Sequence, residues 1–315
     1  MAARPTEDKL KRGVKVGFYR EQKHICGKDY ETAGYMEVDL YEATAAQHNA
    51  SLRGKKKEAT SLAQQAYNDK RAKRYHVQLV NTNFKQGDYS WTGTYDDNHL
   101  PGADDKEQAD RDWANFMKRV YRWCDKNGVE RPKWVMATEY STRGDDGKVT
   151  GRHHHHAIIQ RTKGLDRDIL EELWCDRKGE PMGLCRCEYL TMEHGSAASL
   201  VQYISKNKRC DRHWRQSRGL EKPKTPKPND TKWSKRKLHE ASTVHIDDAE
   251  YWERLYPGFK FDRAETNISD FGQRHTLVIM YRDTRFKRKQ RYRERSRNGD
   301  DNLHCGQDRG RCEVS

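Results

Sequence analysis

Four consecutive histidines, His153 to His156, are the residues of this 315-residue sequence best suited to chemistry. An apolar run of Ala and Ile follows them directly and a Gly-rich turn at 143–147 precedes them, so the pattern predicts the second arm of a β-hairpin. Side chains alternate along a strand, which places His154 and His156 on one face and His153 and His155 on the other. Two imidazoles on one face, about 6.5–7 Å apart, can converge on one metal ion.

A carboxylate could complete this site from the first arm of the same hairpin. The segment 134–140 is predicted to be a strand and carries Glu139 near its end. If the two arms pair, Glu139 comes beside the histidines as a third ligand and leaves coordination positions open for substrate and water. The pattern therefore predicts a functional metal site, with a solvated turn or a purely structural metal site as the competing interpretations.

The composition points to a polyanionic partner. The chain has a net charge of +14, and 35% of its residues are charged against 33% hydrophobic. Residues 1–20 contain no apolar segment typical of a secretory signal, and no run of 18 apolar residues could span a membrane. The eight cysteines are accordingly expected to be reduced thiols in a cytosol. A zinc site from Cys185, Cys187, Cys210 and His213 has poor spacing, so small core residues are the favoured interpretation.

The periodicity of the chain predicts alternating strands and helices. Strands are predicted at 35–41, 89–95, 184–191 and 276–281, and helices at 43–80, 104–127, 167–176, 195–208 and 247–256. The helix at 195–208 carries Tyr203 and Lys206, whose side chains are neighbours on a helix surface because they are three residues apart. Residues 209–238 are rich in Lys, Arg and Pro and are expected to form a linker that follows phosphates.

These features occur in a recognisable order: Glu139, a His-x-His strand, then a Tyr-x-x-Lys helix, all preceded by the segment 91–101, WTGTYDDNHLP. The order resembles the HUH endonuclease superfamily, specifically the rolling-circle replication initiators of bacterial phages and plasmids. It is similar to the single-tyrosine replication-associated proteins of small single-stranded DNA phages and integrated elements, over roughly residues 25–281. The resemblance implies an α+β fold of the HUH type, with a central antiparallel sheet flanked by helices and a basic C-terminal extension.

The resemblance also assigns roles to individual residues. The implied metal ligands for Mn²⁺ or Mg²⁺ are Glu139, His154 and His156; the implied nucleophile is Tyr203, and the helper cation is Lys206. The register 154/156 is preferred over 153/155 because the family places Ala directly after the second histidine, where Ala157 stands. Gly93 departs from the family pattern, which has an apolar residue there, and is expected to loosen its strand.

The implied activity is site-specific nicking and strand transfer through a 5′-phosphotyrosine intermediate, which starts rolling-circle replication. The expected partners are single-stranded DNA at a replication origin and a host helicase and polymerase, in the cytoplasm of a bacterial host and without a membrane. Alternatives are a non-catalytic origin-binding protein of the same fold and a nickase of the transposase or relaxase type. A metal-storage or sensor protein would explain the histidine run but not the charge of +14.

The chain is expected to divide into a leader (1–13), a nuclease core (14–208), a basic linker (209–240), a C-terminal extension (241–281) and a disordered basic tail (282–315). The residues expected to contact DNA are Arg152, Lys208, Arg209, Lys235, Arg236 and Lys237. Trp91, Trp214 and Trp233 are candidates for stacking on unpaired bases, with packing in the core as the alternative for each.

Overall fold

Nine strands and five helices form the part of the chain that the structure describes. The computed structural model describes residues 18–43, 62–103, 105–141, 151–192, 197, 201, 214–268 and 274–282. The strands are β1 (Phe18–Cys26), β2 (Tyr35–Ala43), β3 (Tyr89–Thr94), β4 (Trp134–Ser141), β5 (Arg152–Ile159), β6 (Cys185–Tyr189), β7 (Arg215–Gln216), β8 (Phe259–Ile268) and β9 (Arg274–Arg282). The helices are α1 (Leu62–Asn83), α2 (Lys106–Asn127), α3 (Arg167–Glu172), α4 (Lys235–Thr243) and α5 (Ala249–Leu255). The predicted α+β class is confirmed.

The first sheet, called here the terminal sheet, joins the two ends of the described chain. Its strand order is β1-β2-β9-β8, and all pairs are antiparallel. The register of β2 with β9 runs from Tyr35 opposite Tyr281 to Tyr41 opposite His275. The predicted boundaries between a core and a C-terminal extension stay a prediction, but a central strand of each lies in one sheet.

The second sheet, called here the histidine sheet, has the order β6-β3-β5-β4-β7. The predicted hairpin is confirmed: β4 and β5 pair along their whole length, from Trp134 opposite Ile159 to Ser141 opposite Arg152. Strand β3 flanks β5 on its other side, which places the four histidines on the central strand. A central strand has neighbours on both sides, so its side chains are held at fixed positions relative to two partners.

Helix α1 lies between the two sheets. Its residues Leu79 and Val80 pack with Tyr35 of the terminal sheet and with Val135 and Ile158 of the histidine sheet. The opposite face of the histidine sheet packs on α2 and α3, and the opposite face of the terminal sheet packs on α4 and α5. The described elements therefore form five layers, with α1 in the middle. Among these helices, none is both long and apolar enough to cross a membrane.

Helix α2 shows how closely local sequence signals can define an element. Asp105 caps its start by accepting a hydrogen bond from the backbone N–H of Gln108. Gly128 follows its last residue with φ 66°, the left-handed conformation that glycine adopts without steric cost. The buried side chains of one face, including Trp113 and Phe116, contribute to the core beneath the histidine sheet.

The Lys/Pro-rich segment expected to be a linker is instead fastened to the protein as an extended strap. Ile25 of β1 and Lys224 exchange two backbone hydrogen bonds of 2.8 and 2.9 Å, and Glu21 and Asn229 exchange two of 2.9 Å. Proline lacks a backbone donor and suits the edge of a sheet, whereas the residues between the prolines still supply the N–H groups. The linker prediction was wrong for residues 214–234, and the helix α4 that follows was missed by it.

Gly93 does not leave a gap in β3. A Cβ atom added at position 93 would overlap the six-membered ring of Trp91, so the indole fills the volume where a side chain would stand. Trp91 is fully buried and stacks on Phe116, with ring centroids 4.8 Å apart. The expected loosening of the strand is wrong because the neighbouring tryptophan compensates for the glycine.

Candidate metal and nucleic-acid site

Glu139, His154 and His156 lie on one face of the histidine sheet, the face that also packs on α1. Glu139 is directly opposite His154, and the Oε2 atom of Glu139 lies 3.5 Å from Nε2 of His156. The side chains of His156 and Glu139 are 14% and 23% exposed, so the pair is sheltered and still reached by solvent. We call this arrangement the histidine face.

His153 and His155 belong to the core on the opposite face. His155 is fully buried, and both its ring nitrogens have partners: Nε2 lies 2.7 Å from the hydroxyl of Tyr95, and Nδ1 lies 3.0 Å from that of Thr138. Nε2 of His153 lies 3.1 Å from the carbonyl oxygen of Gly102. The alternative register would therefore need ligands that are already packed and hydrogen-bonded, which leaves His154 and His156 as the accessible pair.

The surroundings of the accessible pair favour neutral imidazoles. Burial and the nearby Arg152 charge lower the pKa of His154, and burial together with His154 lowers the pKa of His156 to about 4. A neutral imidazole is the form that can bind a metal ion. Among the described residues, no group of three or more His, Cys, Asp or Glu side chains is already arranged around a metal position. Glu139 and His156 are the pair in contact, and the pairing of β4 with β5 adds His154 next to them.

Thr92 is a part of this face that the sequence did not reveal. It is the cross-strand partner of His156, and its hydroxyl oxygen lies 3.3 Å from Nδ1 of that ring. With Nδ1 directed to Thr92, Nε2 points toward Glu139, so the hydroxyl helps to orient the ring. The signal for this role is the register of β3 with β5, which a single sequence does not specify.

The predicted catalytic residues Tyr203 and Lys206 lie outside the described residues, as do Lys208 and Arg209. The chain just before them is anchored on the histidine face. The backbone N–H of Val201 donates to the carbonyl of Ala197 at 2.9 Å, and both side chains are buried. They pack in the same cluster as Val135 and Ile158, which lie on this face of β4 and β5.

The remaining predicted DNA contacts are spread over the molecule. Arg152 is on β5, in line with His154 and His156, and its guanidinium donates to the carbonyl of Tyr95 at 3.1 Å and to the carboxylate of Asp97. Lys235, Arg236 and Lys237 are exposed on α4, on the far side of the terminal sheet. The structure does not bring these three to the histidine face.

The three tryptophans proposed for base stacking have different environments. Trp91 is fully buried, and Trp233 is 4% exposed with its indole N–H donating to Glu21 at 2.9 Å, so both are core residues. Trp214 is half-buried and stacks on His76 with ring centroids 4.4 Å apart. Trp214 alone of the three remains a candidate for contact with a ligand.

The two described cysteines of the doubtful zinc site are packed against the core. Cys187 is 3% exposed, and burial raises the pKa of its thiol to about 12. Cys185 packs against the same apolar cluster. A thiol held protonated is a poor metal ligand, which agrees with the interpretation as core residues; Cys210 and His213 lie outside the described residues.

Comparison with known proteins yields one similarity. The family model described as replication-associated protein ORF2 matches residues 88–208, which is less than half of the chain. The matched range contains β3, the β4–β5 hairpin and position 203. Neither the curated proteins nor the solved structures yield a match. The family similarity supports a replication-associated protein with a role in replication initiation.

Proposed function

We propose that the protein is an HUH-type replication initiator that nicks and rejoins single-stranded DNA with the help of a divalent metal ion. The observation that carries the proposal is the histidine face: Glu139, His154 and His156 lie together on adjacent central strands, within the range similar to replication-associated proteins. Their residue types and their order in the chain are those of the resemblance found in the sequence.

The three side chains fit a divalent ion in their chemistry. One carboxylate and two imidazoles suit Mn²⁺ or Mg²⁺ with open coordination positions. The 3.5 Å separation of the Glu139 and His156 atoms allows both to contact one ion, and a side-chain rotation of His154 would complete the set. Such an ion, when bound, polarises the phosphate and stabilises the charge that develops on its non-bridging oxygens.

Tyr203 is the proposed nucleophile. Its hydroxyl oxygen attacks the phosphorus, the bond from phosphorus to the 3′-oxygen breaks, and that oxygen takes up a proton to become a free 3′-hydroxyl. The phosphate then remains on Tyr203 as a 5′-phosphotyrosine, and reversal of the step joins strands. Two residues of chain span at most about 7 Å, so position 203 stays close to Val201, which packs on the histidine side of the sheet. Lys206 is proposed to favour the tyrosinate or to hold the phosphate.

Single-stranded DNA at a replication origin is the proposed substrate, and a net charge of +14 supports a polyanionic partner. The proposal includes a host helicase and polymerase and a place in the cytoplasm of a bacterial host. Initiation on a phage or plasmid origin is the setting that the family similarity favours.

The test is a cleavage assay on single-stranded DNA tiled from the element's own origin, with Mn²⁺ and a denaturing gel. The full chain is compared with Tyr203→Phe, His156→Ala and Glu139→Gln, and with His239→Ala as a control. His239 is exposed on α4, on the far side of the terminal sheet, so its replacement should leave cleavage unchanged. We expect a metal-dependent protein–DNA adduct in the wild type and the control, and its loss in the other three variants.

Other outcomes identify what is wrong. An adduct that survives Tyr203→Phe would place the nucleophile on another tyrosine. Cleavage that survives both His156→Ala and Glu139→Gln would remove the histidine face from the reaction. Tight origin binding without any adduct, on every fragment and with every divalent metal, would leave a non-catalytic origin-binding protein.

A further inference from the structure

The histidine face continues across the sheet toward strand β6. Thr92 is the cross-strand partner of both His156 on one side and Arg186 on the other. Cross-strand partners point to the same face, so Arg186 lies on the histidine face two strands away from His156, a distance of about 9.5 Å between strands. An arginine is thereby placed in line with the candidate metal position.

Arg186 is available for an incoming anion. Its side chain is 77% exposed, and its guanidinium donates to the carboxylate of Glu188 at 2.6 Å, which is itself 55% exposed. Exposed ion pairs of this kind contribute about 0–1 kcal/mol. A phosphate can therefore replace Glu188 as the partner of Arg186 at little cost.

On the other side of the histidines, strand β7 carries an aromatic group to the same face. Gln216 is opposite Val135, and the indole N–H of Trp214 donates to the Gln216 side chain at 3.0 Å. Arg215 between them points the other way, to Asp110 on α2. Trp214 therefore lies on the histidine face, beside β4.

Trp214 is part of a small aromatic group at the surface, which we call the aromatic shelf. Its ring is parallel to that of His76, at 4.4 Å and an interplanar angle of 7°. The ring of Tyr75 lies 6.4 Å from Trp214, and Tyr75 is 37% exposed. A half-buried indole fixed in orientation by a stacked neighbour is a suitable platform for an unpaired base.

We propose that single-stranded DNA lies across the histidine sheet, roughly perpendicular to its strands, with a base on the aromatic shelf and a phosphate at Arg186. The candidate metal position lies between the two contacts. The aromatic shelf needs a base whose faces are accessible, which a single strand offers, and Arg186 matches the charge of the backbone. This inference rests on the proposed function, because it assigns the substrate path for the same site.

The test measures equilibrium binding of the full chain to labelled oligodeoxythymidine without divalent metal, so that cleavage does not enter. A matched oligonucleotide with abasic sugars offers the phosphates without the bases. We expect Trp214→Ala to weaken binding to oligodeoxythymidine about 5- to 150-fold and to leave binding to the abasic strand unchanged. Trp214→Phe keeps an aromatic ring and should retain most of the affinity.

Arg186→Gln should act differently, because it removes a phosphate contact. We expect weaker binding to both oligonucleotides by a similar factor, and a slope of log K against log salt that is smaller by about 0.7. Glu188→Gln releases Arg186 from its carboxylate partner and should strengthen binding to both.

Two control variants lie on the opposite side of the same sheet. Arg122→Gln changes an exposed arginine of α2, and Tyr189→Ala changes an aromatic residue that is 48% exposed on β6. Both should leave binding unchanged. Equal losses in the controls, or a Trp214→Ala loss that is as large on the abasic strand, would overturn the proposed path. Because the assay needs no adduct, unchanged binding in the Trp214 and Arg186 variants alongside normal nicking would reject this inference and leave the proposed function intact.

Discussion

The terminal sheet and the histidine sheet each present a carboxylate and two histidines on the face nearer α1. On the terminal sheet, Arg74 donates two hydrogen bonds of 2.7 Å to Asp39, and the Nε2 atoms of His24 and His275 lie 3.0 and 2.8 Å from the same carboxylate. Arg74 also contacts Glu37, which is 2% exposed. On the histidine sheet, Glu139 lies beside two imidazoles whose pKa values are lowered.

The difference teaches what turns such a group into structure or into a candidate site. An arginine fills the terminal-sheet cluster with positive charge and with donors, so the carboxylates are satisfied inside the protein. On the histidine sheet, neutral imidazoles beside a carboxylate offer lone pairs and negative charge, which suit an added cation. The predictions below test this contrast, beginning with the largest expected effect.

Replacing Arg74 with Ala should destabilise the protein by about 3–5 kcal/mol, because it leaves two buried carboxylates without their cation. The free energy of unfolding in urea measures the effect. Arg71→Ala, an exposed arginine on the same helix, is the matched control and should change it by about 0.5 kcal/mol or less. A small effect for Arg74→Ala would mean that the terminal-sheet cluster does not depend on its arginine.

The second prediction concerns acid. Burial alone would raise the pKa of Asp39, but hydrogen bonds from His24, His275 and Arg74 lower it well below its usual range. A depressed carboxyl pKa contributes stability that is present above the unfolded value of about 3.9 and is lost as the pH falls below it. We expect urea midpoints measured from pH 5 downward to fall more steeply in the wild type than in Asp39→Asn. Parallel curves would contradict this.

The third prediction tests packing in the strand beneath the candidate site. Gly93→Ala should destabilise by about 1–3 kcal/mol, because the added methyl group overlaps the ring of Trp91. Gly34→Ala in the terminal-sheet hairpin is the control, since an added Cβ atom there meets nothing within 4 Å. Thermal unfolding of the two variants distinguishes them, and equal melting temperatures would mean that β3 can yield to the methyl group.

The smallest stability effect is expected for Glu139→Gln, within about 1 kcal/mol, because this carboxylate is partly exposed and is not held by a described arginine cluster. The same variant should lose metal-dependent cleavage. Urea unfolding of the purified variant beside the cleavage assay gives both values. A loss of stability as large as that of Arg74→Ala would mean that Glu139 is structural and that the contrast between the sheets is wrong.

Local patterns predicted the local elements well. The β4–β5 hairpin followed from the alternation and the Gly-rich turn, and α2 followed from its apolar spacing and Gly128. Strand β8 was missed because charged residues such as Arg263 and Glu265 give it no apolar face over half its length. Helix α4 was missed because its Lys and Arg residues obscured the cap at Ser234 and the apolar pair Leu238 and Ala241.

Features that depend on strand register were beyond a single sequence. Glu139, His154 and His156 could be grouped because one hairpin carries them all. Thr92 could be assigned to the site after its pairing with His156 was known, and Arg186 only through Thr92. The sequence also offered three tryptophans for base stacking without a means to choose, since burial and side of the sheet separate Trp214 from the other two.

The pairing of β2 with β9 has a consequence for how the chain folds as it is synthesised. Strand β2 ends at Ala43, whereas its partner begins at Arg274, so most of the chain must be made before these strands can meet. The strands of the histidine sheet are complete once residue 216 has been made. Until β9 arrives, one edge of β2 lacks its native partner, and open strand edges favour aggregation. Truncation before residue 274 would therefore leave the nascent chain in this vulnerable state permanently.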